Sequence, residues 1–199
     1  MANGADRPGA TCLLTFNAAQ RPKEVLFLCR DNGARSLMAE AILNSFSGGG
    51  MRAFSAGVEP RKDVPMPITQ VIESRGVSIK GLRPKLWSEF DGLAARKLNF
   101  VFSICDPEAN EVCAYWPGQP LRAHWHIAEP LEQKDVNEYY RLLDETFDHL
   151  LRCVNGFLNL PLEVMEKFAL QGQSGGPDAQ VMPGRLPVSS FSSRIRAAS

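Results

Sequence analysis

The 199-residue sequence lacks a charge excess of either sign, a long apolar run and an even number of cysteines. Lys and Arg total 22 and Asp and Glu total 22, whereas proteins that hold nucleic acid by neutralising phosphates carry a basic excess. No apolar run approaches the roughly 18 residues that would span a bilayer. Five cysteines do not suggest a disulfide framework and fit a reducing compartment. We therefore expect a cytoplasmic protein with no nucleic-acid partner and no membrane partner.

The composition is that of a globular protein, with 44% hydrophobic and 22% charged residues. Residues 1–23 carry one short apolar patch among Gly and Pro, which predicts a flexible N-terminal extension. Residues 171–199 are rich in Gly, Ser, Gln and Pro and cannot bury enough surface to offset the entropy of ordering, so we predict a disordered tail. Residues 24–170 are predicted to form one catalytic domain.

Strand and helix patterns alternate along this domain. The continuous apolar run Val25–Leu28 is typical of a strand that is buried on both faces. The other predicted elements are helices at 36–46 and 67–74 and strands at 52–55, 98–104 and 121–125. This alternation predicts an α/β fold with a parallel sheet flanked by helices. Ligands of such sheets bind at the C-terminal ends of the strands.

The strongest helical pattern lies near the end of the domain. Six apolar residues recur on one helical face: Val136, Tyr140, Leu143, Phe147, Leu150 and Val154. Asp135 and Glu138, three residues apart, are predicted to form a capping box at the start of this helix.

The turn after the first strand carries the candidate chemistry, and we call it the anion loop: Cys29-Arg30-Asp31-Asn32-Gly33-Ala34-Arg35-Ser36. Its backbone N–H groups can converge on a tetrahedral oxyanion, and the following helix adds a favourable dipole. Arg35 can hold two oxyanion oxygens, and the same field is expected to lower the pKa of Cys29 and make it a thiolate nucleophile. Ser36 is expected to donate to this thiolate and Asn32 to brace the loop. A buried cysteine beside an unrelated surface arginine is the alternative.

The first strand, the anion loop and the next helix resemble the phosphate loop of the low-molecular-weight protein tyrosine phosphatase superfamily, and most closely its arsenate reductases. The likeness is carried by Val25-Leu26-Phe27-Leu28-Cys29, Asn32, Arg35-Ser36, Met38-Ala39-Glu40-Ala41 and Ser55-Ala56-Gly57. The reductase branch in particular is resembled by Cys105-Asp106, Glu111-Val112-Cys113, Trp116-Pro117-Gly118-Gln119-Pro120 and His124-Trp125. The resemblance implies a three-layer fold with a four-stranded parallel sheet, a cysteine nucleophile and reduction of arsenate to arsenite.

Cys105 and Cys113 are candidate resolving thiols. Cys105 follows the third predicted strand, at the same sheet edge as Cys29, and Cys113 lies eight residues further on. Arsenate reduction through a covalent intermediate on Cys29 needs a second thiol that attacks its sulfur, and an external thiol must then reduce the disulfide. This reductant is expected to be thioredoxin, or glutaredoxin with glutathione. The alternatives for the two cysteines are packing and a zinc site with His124 and His126, although the ligand spacing argues against zinc. We expect no bound metal or cofactor.

Glu129 stands where the resembling family carries the Asp of an Asp-Pro pair, whose carboxylate is the general acid for the leaving group. We expect Glu129 to take this role with a longer reach, and an exposed loop glutamate is the alternative. The expected oxyanion contacts come from Arg30, Asp31, Asn32, Gly33, Ala34, Arg35 and Ser36.

A phosphatase that hydrolyses phosphotyrosine or aryl phosphate through a phosphocysteine is the second hypothesis. A non-catalytic oxyanion-binding module is the third.

Overall fold

The computed structural model describes residues 21–90, 98–105, 120–161 and residue 164. Four parallel strands form one sheet in the order β2-β1-β3-β4. Their bounds are Lys23–Cys29 for β1, Met51–Gly57 for β2, Phe100–Cys105 for β3 and Leu121–His126 for β4. The predicted four-stranded parallel sheet is confirmed, and the predicted strands differ from the observed ones by a residue or two at their ends.

The central strand β1 brings the C-terminal ends of its neighbours to the anion loop. Leu28 lies opposite Ala56 of β2 and opposite Ser103 of β3. Cys29, the last residue of β1, lies opposite Gly57, the last residue of β2. Because all the strands run in the same direction, the chain segments that follow them meet at one edge of the sheet.

Three α-helices, α1 (Arg35–Phe46), α2 (Met66–Ser74) and α3 (Val136–Leu158), bury their apolar residues in one large cluster. This cluster also holds Val25 and Phe27 of β1. The neighbouring side chains Leu26 and Leu28 point to the other face of the sheet. There they form a smaller cluster with Phe90 of the 3-10 helix Trp87–Phe90. The three-layer arrangement predicted from the sequence is therefore confirmed.

The apolar face predicted for α3 is confirmed except at its first residue. Val136 is 63% exposed, because the first turn of α3 extends past the apolar cluster, which begins on this helix at Tyr139. The fully buried members of the predicted face are Leu143, Phe147, Leu150 and Val154.

The predicted capping box at the start of α3 is only half formed. The carboxylate of Asp135 accepts a hydrogen bond from the backbone N–H of Asn137 at 2.9 Å, as an N-cap should. Glu138 binds the guanidinium of Arg141 one turn further on instead of reaching back. A charged partner at i+3 replaces the reciprocal bond of the box.

Several predictions fall on residues that the structure does not describe. They include the tail 171–199, residues 1–20 of the predicted extension, and Cys113. None of the described helices is both long and apolar enough to cross a membrane.

Candidate active site

Cys29 lies at the end of β1, only 3% exposed, with its Sγ atom 2.9 Å from Oγ of Ser36. Ser36 is the second residue of α1, so the strand end and the helix start face each other across the anion loop. The structure thus brings together the two residues that the sequence predicted to be in contact.

Asn32 braces the anion loop, as expected. Its φ of 45° is in the left-handed region, which Asn tolerates better than most residues. Its side-chain amide donates to Oγ of Ser36 at 2.8 Å and accepts from the backbone N–H of Lys85 at 2.7 Å. Because the Ser36 oxygen accepts from Asn32, its own O–H is free to point at the Cys29 sulfur.

Gly57 lets the anion loop approach the end of β2 closely. A Cβ atom at this position would lie 2.8 Å from the backbone oxygen of Arg30 and 2.8 Å from the backbone nitrogen of Asn32. Two backbone hydrogen bonds fasten the same contact, from Glu59 to Arg30 at 2.9 Å and from Arg61 to Asp31 at 2.8 Å. Glycine is needed here for space, a role that the likeness at Ser55-Ala56-Gly57 did not reveal.

Arg35 opens α1 and is 1% exposed. Its guanidinium donates to the backbone oxygen of Ile127 at 3.1 Å and to Oε2 of Glu129 at 3.2 Å. Both partners follow β4, so the segment after that strand meets the anion loop. The carboxylate of Glu129 therefore lies beside the loop, paired with the buried charge of Arg35.

The carboxylate of Asp31 lies at the mouth of the loop. Its Oδ1 accepts from the backbone N–H of Gly33 at 2.9 Å, and its Oδ2 accepts from Nε of Arg61 at 2.7 Å. Arg61 also donates to Glu132 at 3.0 Å. A carboxylate repels an oxyanion, so Asp31 can contribute to oxyanion binding only through its backbone N–H. Sequence reasoning missed Arg61 and Glu132, because no local pattern links them to the loop.

The predicted lowering of the Cys29 pKa is wrong for this arrangement. Burial raises the pKa of the thiol above its ordinary value, and the nearby Asp31 carboxylate raises it further. The hydrogen bond with Ser36 and the charge of Arg35 act in the opposite direction without overcoming burial. The prediction counted the cations of the loop and omitted the desolvation of the thiol.

The remaining loop residues lie at its rim and base. Arg30 is exposed beside the loop entrance and forms a 3.5 Å ion pair with exposed Glu59, which partly offsets its positive charge. The carbonyl of Ala34 accepts the first hydrogen bond of α1, from Met38 at 2.9 Å.

A buried ion pair lies next to the chain segment that binds Asn32 of the anion loop. Nζ of Lys85 lies 3.0 Å from Oε2 of Glu40, and both side chains are almost fully buried. The hydroxyl of Ser55 donates to the same carboxylate oxygen. Since the backbone of Lys85 also binds Asn32, this pair anchors the segment that holds the loop brace. Nothing in the local sequence pairs Glu40 with Lys85.

Cys105 ends β3, the strand beside β1, and is 3% exposed. The predicted common edge with Cys29 is confirmed, but the two thiols lie on opposite faces of the sheet. Cys29 belongs to the helix-covered cluster, whereas Cys105 alternates in phase with Val101 of the other cluster. Cys113 lies outside the described residues, so a Cys105–Cys113 pair stays a prediction.

His124 and His126 share one face of β4, with ring centroids 4.4 Å apart. Over the described ranges, no group of three or more His, Cys, Asp or Glu side chains is placed to hold a metal ion.

Comparison with known proteins identifies the relatives of this chain. The family described as low molecular weight phosphotyrosine protein phosphatase matches residues 24–162. A Brevibacillus brevis protein named arsenate reductase is 29% identical over 126 residues, which cover 63% of this chain and 90% of the relative. A Bacillus cereus protein of the same name is 28% identical over 133 residues, which cover 67% and 95%. The crystal structure of an arsenate reductase from Archaeoglobus fulgidus is similar with 30% identity and a TM-score of 0.51, covering 66% of this chain and 98% of that one.

Proposed function

The chain belongs to the low molecular weight phosphotyrosine protein phosphatase family, and within this family we propose that it is a thiol-dependent arsenate reductase. The observation that carries this proposal is the second buried thiol, Cys105, at the end of the strand next to the one that ends in Cys29. Hydrolysis of a phosphate ester needs no second thiol, whereas reduction of arsenate does. The relatives named arsenate reductase support the same choice.

In the first step, the thiol of Cys29 gives its proton to an oxygen of the bound arsenate, and the resulting thiolate attacks the arsenic atom. Arg35 and the N–H groups of the anion loop hold the remaining oxygens. The oxyanion takes the place of the Glu129 carboxylate on Arg35, and Glu129 then takes up a proton from solvent. As the As–O bond breaks, Glu129 gives this proton to the departing oxygen. The product is an arsenic(V) adduct on the Cys29 sulfur.

In the second step, the thiolate of Cys105 or Cys113 attacks the sulfur of Cys29. The S–As bond breaks with its electron pair on arsenic, so arsenic(V) becomes arsenic(III) and leaves as arsenite. The two sulfurs lose the two electrons and form a disulfide. An external thiol, either thioredoxin or glutaredoxin with glutathione, then reduces this disulfide. Such a cycle requires a reducing compartment, for which we propose the cytoplasm.

Hydrolysis of phosphotyrosine or another aryl phosphate is the second candidate function. It is favoured by the contact between Glu129 and Arg35, which sets the carboxyl group of Glu129 beside the oxyanion site. In that reaction Cys29 forms a phosphocysteine, and Glu129 first protonates the phenolate and then activates water.

A side-by-side assay of arsenate reduction and aryl phosphate hydrolysis, with each reductant, tests the choice. Cys29→Ser should abolish both activities. Cys105→Ser and Cys113→Ser, alone and combined, should abolish multiple-turnover reduction and leave hydrolysis intact. Cys153→Ser is the matched control, because this thiol lies in α3 away from the anion loop, and it should change neither activity.

Glu129→Gln should damage hydrolysis of a substrate with a basic leaving group more than it damages arsenate reduction. Mass spectrometry after one turnover with arsenate should show a disulfide that involves Cys29 or joins Cys105 to Cys113. Wild-type protein that hydrolyses aryl phosphates but reduces no arsenate with any reductant would establish the phosphatase instead. No turnover of either substrate would leave an oxyanion-binding module.

A further inference from the structure

A histidine bridges the two polar side chains at the end of β3. Nε2 of His124 lies 3.0 Å from Sγ of Cys105, and Nδ1 of the same ring lies 2.8 Å from Oγ of Ser103. Both ring nitrogens are therefore engaged by β3, and the imidazole has one orientation relative to the thiol.

This contact follows from the register of the two strands. Ser103 pairs directly with His124 across the sheet, and Cys105 lies two residues further along β3 on the same face. The ring of His124 leans along the sheet so that it spans both residues. The thiol is buried and the imidazole half-buried, which strengthens a hydrogen bond between them.

The thiols of Cys105 and Cys29 contact different groups. Cys29 is bound by Ser36 on the helix-covered face, while Cys105 and His124 lie on the opposite face. The other ionisable side chains on this face of β4 are Arg122 and His126. A resolving thiol at Cys105 thus needs a proton acceptor of its own, since only the thiolate is a nucleophile.

Resting on the proposed reductase function, we propose that His124 is the catalytic base that takes the proton of Cys105, which is then the first resolving thiol. The proton passes from Sγ of Cys105 to Nε2, and the resulting imidazolium keeps donating from Nδ1 to the Ser103 oxygen. The freed electron pair of Cys105 attacks Sγ of Cys29, and the S–As bond breaks with its pair on arsenic. When the external thiol reduces the disulfide, the imidazolium returns its proton to Cys105.

The opposite placement of the two thiols adds one requirement. Cys105 is the last residue of β3, so its side chain has to pass over the C-terminal edge of the sheet to reach Cys29. Proton transfer to His124 takes place while the thiol is buried against the ring.

A titration that involves no arsenate tests the base. In a chain with Cys12, Cys29, Cys113 and Cys153 changed to Ser, the ultraviolet absorbance of the thiolate reports Cys105 alone. His124→Gln should lower the thiolate fraction near pH 7 about tenfold, equivalent to one unit in the titration midpoint. His149→Gln is the control, since this histidine lies on α3, which covers the other face of the sheet, and it should leave the titration unchanged.

A single-turnover measurement tests the role in catalysis. In the chain with all five cysteines, His124→Gln should slow disulfide formation after arsenate addition by at least about tenfold and leave aryl phosphate hydrolysis unchanged. Ser103→Ala keeps the ring and removes its Nδ1 partner, so it should give a smaller change in the same direction, and it serves if His124→Gln fails to fold.

If the Cys105 titration is unchanged in both variants, His124 is not the base for Cys105, whatever the arsenate turnover. A changed titration with an unchanged rate of disulfide formation overturns the catalytic role. Absence of arsenate turnover in the wild-type protein is a separate result. It would contradict the reductase function but not the hydrogen bond between Cys105 and His124.

Discussion

Nε of Arg61 lies 2.7 Å from Oδ2 of Asp31, and this ion pair crosses the mouth of the anion loop. The same guanidinium reaches Glu132 at 3.0 Å. Arg61 follows β2 and Glu132 follows β4, so one arginine joins the segments that leave three strands. The pair places a negative charge beside the nucleophile and the counter-charge just outside it.

Asp31→Asn should lower the pKa of Cys29, because the carboxylate is one of the groups that raise it. The amide oxygen can still accept from Gly33, so the loop keeps its shape. The thiolate fraction rises with pH until it levels off above the pKa, so the midpoint of the alkylation rate should move to lower pH. Arg61→Gln removes the counter-charge and should move the midpoint the other way. A midpoint that stays fixed in Asp31→Asn would show that the carboxylate does not act on the thiol.

Arg35→Lys should reduce turnover at least about tenfold, equivalent to roughly 1.4 kcal/mol. Lysine keeps the charge but loses the planar pair of donors that binds two oxyanion oxygens. Arsenate and phosphate should both bind more weakly, as measured by steady-state kinetics and phosphate inhibition. Arg30→Lys is the control, because Arg30 is an exposed rim residue, and its kinetics should change little. Unchanged kinetics in Arg35→Lys would mean that the loop does not wrap the anion.

Gly57→Ala should disturb the anion loop, because the new methyl group would lie 2.8 Å from two backbone atoms of the loop. Overpacking of this kind costs about 1–3 kcal/mol, and activity should fall with it. Gly156→Ala is the control: this exposed site in α3 has open space and should gain about 0.5–1 kcal/mol. Denaturant unfolding measures both effects, and a fully stable, fully active Gly57→Ala chain would contradict the close packing.

Lys85→Met should destabilise the fold by about 3–5 kcal/mol, because it leaves the buried carboxylate of Glu40 without its charged partner. Combining it with Glu40→Gln should recover much of this loss, since no unpaired charge then remains buried. Urea unfolding of the two single variants and the double variant gives the coupling. Strictly additive losses would show that the ion pair contributes nothing beyond its separate residues.

The strands, the helices and the anion loop could be predicted because their sequence signals are local. The apolar run in β1 and the periodicity of α3 require burial whatever the rest of the chain does. Cys29, Arg35 and Ser36 lie within eight residues of one strand-to-helix turn, so their proximity follows from chain geometry. Val136 was misassigned because periodicity places a residue on a helical face but does not say where the core ends.

Local sequence patterns are enough to predict the parallel sheet, the anion loop with its thiol and its arginine, and a second thiol at the same edge. The distant groups around them become visible in the folded chain: Arg61 binds Asp31, Lys85 binds Asn32, and His124 binds Cys105. Folding also sets the direction of the pKa shift at Cys29, since burial and the Asp31 carboxylate outweigh Ser36 and the charge of Arg35. Electrostatic and hydrogen-bond energies depend on the distance between two groups in space and on how far both are removed from water. Residues that are far apart in the chain come close together and lose contact with water only when the sheet is assembled.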